Sequence, residues 1–96
     1  MSEGETRRIP EEIARILEWL KEKHVQALLY LEREEVACLA DFRRELKADY
    51  YRARAIVLKL LEEGLIREKR WKNVRFYFLT KKGKKVLAFL RALSKL

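Results

Sequence analysis

Apolar residues recur at every third or fourth position through the first part of the chain, which is the spacing of helices that bury one face. Ile13, Ile16, Leu17 and Leu20 follow this spacing and predict a helix over about residues 10–22. A second helical stretch follows with no Gly or Pro before it, so the sequence leaves open whether the two form one long helix.

Two more helices are predicted, over Val36–Leu46 and over residues 50–63. Asp49 is placed to cap the second of them, because its carboxylate can accept a free backbone N–H of the first turn. Gly64 follows as a stop, since glycine tolerates the left-handed conformation at helix ends. The inward stripe of the helix over 50–63 is predicted to consist of Ala53, Ile56, Val57, Leu60 and Leu61.

The period then changes to that of β-strands. Residues 65–71 and 74–80 are rich in branched and aromatic side chains, and Lys72 and Asn73 between them predict a tight hairpin turn. Trp71 is interpreted as a packing residue at the base of the wing, with stacking on a base as the alternative role. Thr80 is predicted to cap a last helix that carries Val86, Leu87, Leu90 and Leu93.

Length and composition fit one small domain. The chain has 96 residues, of which 49% are hydrophobic, so it can bury a real core. We expect residues 1–9 to form a flexible arm and residues 10–96 to form the domain. The 40% of charged residues, with only two side-chain amides, predicts a heat-adapted source.

The positive charge is concentrated in the second half of the chain. Residues 1–46 hold 8 Lys/Arg and 11 Asp/Glu, whereas residues 47–96 hold 15 Lys/Arg and 4 Asp/Glu, a balance of +11. Such asymmetry favours an anionic partner for the second half over a uniformly solvated surface.

Several classes of function are disfavoured. No apolar run is long enough to span a bilayer, and the first eight residues do not form a secretory signal, so we expect a cytoplasmic, nucleoid-associated protein without membrane attachment. Cys38 and His24 are the only residues of their types, which argues against a metal site, a cofactor or an enzyme. Cys38 is interpreted as a buried small hydrophobe, with an intersubunit disulfide as the alternative.

The order of elements and two motifs resemble the winged helix-turn-helix family of small prokaryotic and archaeal regulators, similar in outline to the MarR and ArsR groups. The motifs are Leu60-Leu61-Glu62-Glu63-Gly64-Leu65-Ile66 and Tyr77-Phe78-Leu79-Thr80-Lys81-Lys82-Gly83. The resemblance covers about residues 23–92. It implies a mainly α fold with a β-hairpin wing, plus an extra N-terminal helix and a C-terminal helix. Two departures are Lys47, where the family often has glycine, and Arg43, where it often has a small residue.

Double-stranded DNA is the predicted partner, and transcriptional regulation by sequence-specific binding is the predicted function. The helix over 50–63 would enter the major groove, and the hairpin would lie on the backbone or in the minor groove. The outward side chains predicted to contact DNA from the helix are Tyr51, Arg52, Arg54, Ala55 and Lys59. Those predicted from the wing and its flank are Arg67, Lys69, Arg70, Lys72, Asn73, Arg75, Lys81 and Lys82.

A homodimer is expected as well, because the terminal helices carry more apolar surface than a small core easily hides. The residues predicted at its interface are Ile13, Leu17, Leu20, Val86, Leu90 and Leu93. The alternative function is a winged-helix protein-interaction module without specific DNA binding, and RNA binding is a third possibility. No effector ligand can be inferred.

Overall fold

The computed structural model describes residues 9–95. In this range five helices and one hairpin follow each other: α1 (Glu11–Trp19), α2 (Glu22–Glu34), α3 (Leu39–Leu46), α4 (Tyr50–Glu62), β1 (Ile66–Trp71), β2 (Val74–Leu79) and α5 (Lys81–Ser94). The predicted arm over residues 1–9 lies, except for Ile9, outside the described residues. The helix over 50–63, the hairpin and the last helix are confirmed as predicted.

The first predicted helix ends earlier than expected, and it is not continuous with the second. Leu20 and Lys21 have extended backbone, with ψ of 120° and 175°. The Lys21 N–H is bonded to Nδ1 of His24 at 3.0 Å, so the only histidine caps the start of α2. The break between α1 and α2 therefore needs no Gly or Pro, because the His24 side chain accepts the backbone N–H that the start of α2 leaves free.

The prediction of a helix from Val36 is wrong by three residues. Glu35 adopts a φ of 74° and ends α2, and residues 36–38 are extended. Ala37 pairs with Tyr77 of the hairpin, with N–H to O distances of 2.8 and 3.2 Å. Backbone pairing across 40 residues overrides the helical spacing of the local sequence, and α3 begins only at Leu39.

The core lies where α2, α3, α4 and α5 meet the base of the hairpin. Phe42 of α3 is fully buried at its centre, with ring centroids 6.0 Å from those of both Tyr30 and Tyr77. Tyr77 is only 6% exposed, so β2 is attached to the helices by a buried ring as well as by the bridge to Ala37. Burial of this ring fixes the hairpin relative to α4.

Two left-handed residues shape the ends of the third and fourth helices. Gly64 has a φ of 77° and ends α4, as the sequence predicts. Lys47 has a φ of 52° directly after α3, although only glycine adopts this region without strain. This left-handed backbone agrees with the expectation of glycine at this position that the resemblance implies.

Thr80 and Gly83 join the hairpin to α5. The Thr80 hydroxyl donates to the Gly64 carbonyl at 2.7 Å and accepts the Gly83 N–H at 3.0 Å, which confirms the predicted cap. A Cβ on Gly83 would lie 2.3 Å from the Leu65 carbonyl oxygen. The glycine is therefore required for the close approach of α5 to the chain that leaves α4.

Gly83→Ala is expected to lower the free energy of unfolding by about 2 kcal/mol, because the added methyl collides with backbone that cannot move aside. Urea denaturation followed by circular dichroism measures this change. Lys85→Ala, at an exposed position of the same helix, is the control and should shift stability by less than about 0.5 kcal/mol. Equal stabilities for the two variants would contradict the close packing.

The pKa of His24 should lie below its ordinary value of 6.5, because burial disfavours the imidazolium and Lys21 and Lys59 repel it. The depressed value means that the folded state favours neutral imidazole, which accepts the Lys21 N–H. Stability should therefore be complete above pH 6.5 and decrease as the pH falls through the folded-state pKa. NMR titration of this single imidazole measures the value, and a pKa at or above 6.5 would contradict the cap.

Candidate nucleic-acid interface

Helix α4 buries one side and presents the other to solvent. Its start is fixed by Asp49, whose Oδ1 accepts the Arg52 N–H at 2.8 Å, which confirms the predicted cap. Ala53, Val57 and Leu60 are no more than 2% exposed, as the inward stripe predicts. Tyr51, at 79% exposed, projects from the opposite side, where Arg52, Arg54 and Ala55 are also exposed.

The hairpin turns one of its faces toward α4. In the antiparallel register Arg70 lies opposite Arg75, and Glu68 lies opposite the buried Tyr77, so these side chains share one face. Because Tyr77 packs on Phe42, this face is the one directed at the helices. Arg75 is steadied by Glu68, with 3.8 Å between Nε and Oε2.

The two elements enclose a groove, which we call the recognition groove. It lies between the start of α3, the first turns of α4 and the tip of the wing. Its lining is Cys38, Leu39, Ala40, Tyr50, Tyr51, Arg54, Arg70, Asn73, Val74, Arg75 and Tyr77. Five predicted DNA contacts (Tyr51, Arg54, Arg70, Asn73 and Arg75) are therefore brought together, and no acidic side chain lines the groove.

Cys38 caps α3 at the rim of this groove and is half-buried, so the prediction of a buried small hydrophobe is wrong. Its N–H and its thiol both donate to Oδ2 of Asp41, at 3.0 and 3.4 Å. The bond from the Cys38 N–H, helped by the thiol and Arg44, lowers the pKa of the Asp41 carboxyl below its ordinary value. Asp41 thus remains an anion that anchors the start of α3.

Five predicted contacts of α4 and α5 lie outside this groove, and two of them hold the scaffold together. The Lys59 ammonium is 3.3 Å from Glu63 Oε2 and 5.0 Å from the ring centroid of Trp19, so it joins α4 to α1. Lys82 lies 3.7 Å from a carboxylate oxygen of Glu12. Arg52 and Ala55 line a separate depression beside the start of α2, and Lys81 is exposed at the start of α5.

Lys21 and Lys23 were not predicted as ligand contacts. They line this second depression together with Glu22, His24, Arg52, Ala55 and Ile56. The Lys23 ammonium donates to the Leu46 carbonyl at 2.7 Å, next to the turn into α4. About 30 residues separate these lysines from Arg52 in the sequence, so no local spacing could have revealed their proximity.

The remaining wing residues form a different surface, which we call the outer wing face. Register places Arg67 opposite Phe78, Lys69 opposite Phe76, and Trp71 opposite Val74, all on the face of the hairpin opposite to Tyr77. At the tip, Val74 also reaches the edge of the recognition groove. Trp71 is 64% exposed, so its interpretation as a packing residue is wrong. Lys72 lies in the turn, with its ammonium 4.5 Å from the Trp71 ring centroid.

Burial also corrects the predicted dimer interface. Ile13 and Val86 are 6% and 0% exposed inside the chain's own core, so they have no surface to offer a partner. Leu17, Leu20 and Leu90 are half-buried against that core, and Leu93 is 37% exposed on α5.

Within residues 9–95, no group of His, Cys, Asp or Glu side chains is arranged to hold a metal ion. The helices of the same range are also too short or too polar to cross a membrane.

No protein-family model matches the sequence, and no curated protein matches it. Solved structures do match. A MarR family transcriptional regulator from Silicibacter pomeroyi has a TM-score of 0.75 at 24% identity, over 85% of this chain and 57% of that one. Rv1404 from Mycobacterium tuberculosis has a TM-score of 0.70 at 18% identity, over 88% and 66%. The fold is a winged helix-turn-helix.

The same fold occurs in Lactococcus lactis ZitR, of which a cysteine-to-serine mutant was solved in complex with DNA. Its TM-score is 0.61 at 23% identity, over 80% of this chain and 62% of that one. This chain spans about half to two thirds of the length of the solved chains it resembles. The winged helix-turn-helix fold predicted from the sequence is thus confirmed.

Proposed function

We propose that this protein binds double-stranded DNA in a sequence-specific manner and acts as a transcriptional regulator. The observation that supports the proposal is the recognition groove, where Arg54 of α4 faces Arg70 and Arg75 of the wing with no acidic side chain in the lining. A helix fits the major groove of B-DNA, and a β-ribbon beside it reaches the adjacent backbone.

Arg54 and Arg52 are the proposed base-reading side chains. Both are exposed in the first turns of α4, and a guanidinium can donate two bonds to the O6 and N7 of guanine. Ala55 is exposed one residue further, and its small side chain permits close approach to a base edge. Tyr51 is exposed at the same end, where its hydroxyl can donate to a phosphate.

Arg70, Asn73 and Arg75 are the proposed backbone contacts on the wing, and Lys81 extends them at the start of α5. Each phosphate that they neutralise releases counterions, so affinity should fall steeply with salt. The proposed DNA contacts do not include Lys59, which contacts Glu63 and Trp19. They also leave out Arg67 and Lys69, which lie on the outer wing face.

The known DNA complex of a protein with this fold, L. lactis ZitR, supports the choice of ligand. It supports no particular residue contact here, because only 23% of aligned residues are identical. The positive charge of the groove is observed in this chain itself, so it supports the proposal more strongly than the neighbour's DNA complex does.

We also propose that two copies form a symmetric homodimer through the C-terminal end of α5. Leu93 is 37% exposed and Leu90 is half-buried near the end of α5, where a partner helix could cover both. A twofold arrangement would allow two α4 helices to enter successive major grooves, about 34 Å apart.

Arg54→Ala should weaken binding to a duplex selected from a random library by about tenfold, and it should narrow the difference between that duplex and random DNA. Arg75→Ala should weaken binding to the selected duplex and to random DNA by the same factor, and it should reduce the slope of log affinity against log salt by about one. Fluorescence anisotropy at several salt concentrations measures both effects.

The matched control for these variants is Arg15→Ala, which removes an exposed arginine of α1 outside the recognition groove. If Arg54→Ala and the control bound every duplex equally well, the proposed reading of bases by α4 would be wrong.

Leu93→Asp should convert the dimer to monomers, because a carboxylate cannot be buried in an apolar interface without a partner. Analytical ultracentrifugation measures the mass. Val36→Asp, which places the same charge at a side chain that is 40% exposed outside α5, is the control and should leave the mass unchanged. A monomeric wild-type protein at micromolar concentration would contradict the dimer.

A further inference from the structure

The outer wing face has an arrangement that duplex binding by the recognition groove does not use. Two cross-strand pairs on this face each join a cation to an aromatic ring, Arg67 to Phe78 and Lys69 to Phe76. Nearest the turn, Trp71 pairs with Val74. Glu68, the only acid of the hairpin, lies on the opposite face and pairs with Arg75. The outer half of this face, toward the turn, is therefore both apolar and positive.

Trp71 is the most exposed apolar feature of this surface. Its side chain is 64% exposed and that of Val74 is 43% exposed, whereas Phe76 and Phe78 are less exposed. The Lys72 ammonium lies 4.5 Å from the ring centroid of Trp71, a distance at which a cation is attracted to an indole. An aromatic face with an adjacent cation can take a stacked base together with its phosphate.

The charges around this face identify the occupant. Toward the base of the hairpin, Glu32 of α2 and Glu35, which follows α2, lie near Arg67 and Phe78. The region free of acids is therefore the outer half with Lys69, Trp71 and Lys72. A second copy docked there by twofold symmetry would bring two patches of the same positive sign together. A duplex offers only base edges, because its base faces are already stacked.

We propose that the outer wing face binds single-stranded nucleic acid, with an unpaired base stacked on Trp71 and the phosphates beside it neutralised by Lys69 and Lys72. This site lies on the side of the hairpin opposite the recognition groove. The protein can therefore hold a duplex and a single strand at the same time.

The test uses a short oligothymidylate and a short oligouridylate, which have unpaired bases and no stable secondary structure. Either strand should quench the tryptophan fluorescence of the full chain, because stacking brings a base against the exposed indole. Trp71→Ala should abolish this quenching and lower the affinity measured by anisotropy about tenfold. The relative affinity of the two strands tells whether the site prefers DNA or RNA.

Two further variants separate charge from stacking. Lys69→Gln should lower the single-strand affinity and its salt dependence, whereas Lys85→Gln removes an exposed lysine of α5 and should change neither. Trp71→Ala should keep the duplex affinity of the wild type. An oligothymidylate should also bind to protein already saturated with a duplex.

Three results would overturn the proposal. The first is a single-strand affinity of Trp71→Ala equal to that of the wild type, and the second is displacement of the oligonucleotide by duplex. The third is a blue shift of the tryptophan emission with protein concentration that Trp71→Ala removes, which would mean that a second copy covers the face. Loss of duplex binding with intact single-strand binding would count against the regulator function and not against this site.

Discussion

The attachment of the hairpin to the helices is the constraint on which the rest of the structure depends. Tyr77 inserts its ring against Phe42, and its backbone forms both hydrogen bonds of the bridge to Ala37. These contacts fix the direction of β2, and the register then decides which wing side chains face α4. Without this attachment, Arg70 and Arg75 would have no defined position relative to Arg54, and the chain would offer a general positive charge in place of a shaped groove.

The same scaffold divides the many cations into two groups. Lys59, Lys82 and Arg91 are held by acidic partners on other turns or other helices, so they stabilise the packing of α1, α2 and α5. Among residues 9–95, no ion pair involves Arg52 or Arg54, and these two project from the exposed side of α4. Arg75 belongs to neither group, since it lines the groove and also lies 3.8 Å from Glu68. Exposed ion pairs contribute little stability each, so this pair leaves Arg75 able to meet an anionic ligand.

Much of this arrangement could be predicted from the sequence, since it depends on local spacing. The inward stripe of α4, the caps at Asp49 and Thr80 and the stop at Gly64 all follow from residues within a few positions of each other. The parts that could not be predicted depend on distant contacts. The Ala37 bridge to Tyr77 removed a turn from the predicted third helix, and the His24 cap split the first two. The two faces of the wing were not separated because a count of basic residues contains no register. For Lys59, the contact with Trp19 across 40 positions could not be foreseen, whereas the pair with Glu63, four residues along the helix, follows from local spacing.

If α4 and the inner face of the wing meet one DNA duplex together, both elements must respond to the same binding event. Amide NMR spectra of the protein, recorded during titration with a short duplex, reveal whether they do. We expect the resonances of Arg54, Asn73 and Arg75 to shift together at the same DNA concentration, while those of Glu32 and Arg91, which form an ion pair between α2 and α5, stay in place. Shifts centred on α2 and α5, with the resonances of the groove residues unchanged, would contradict binding of the duplex by both elements.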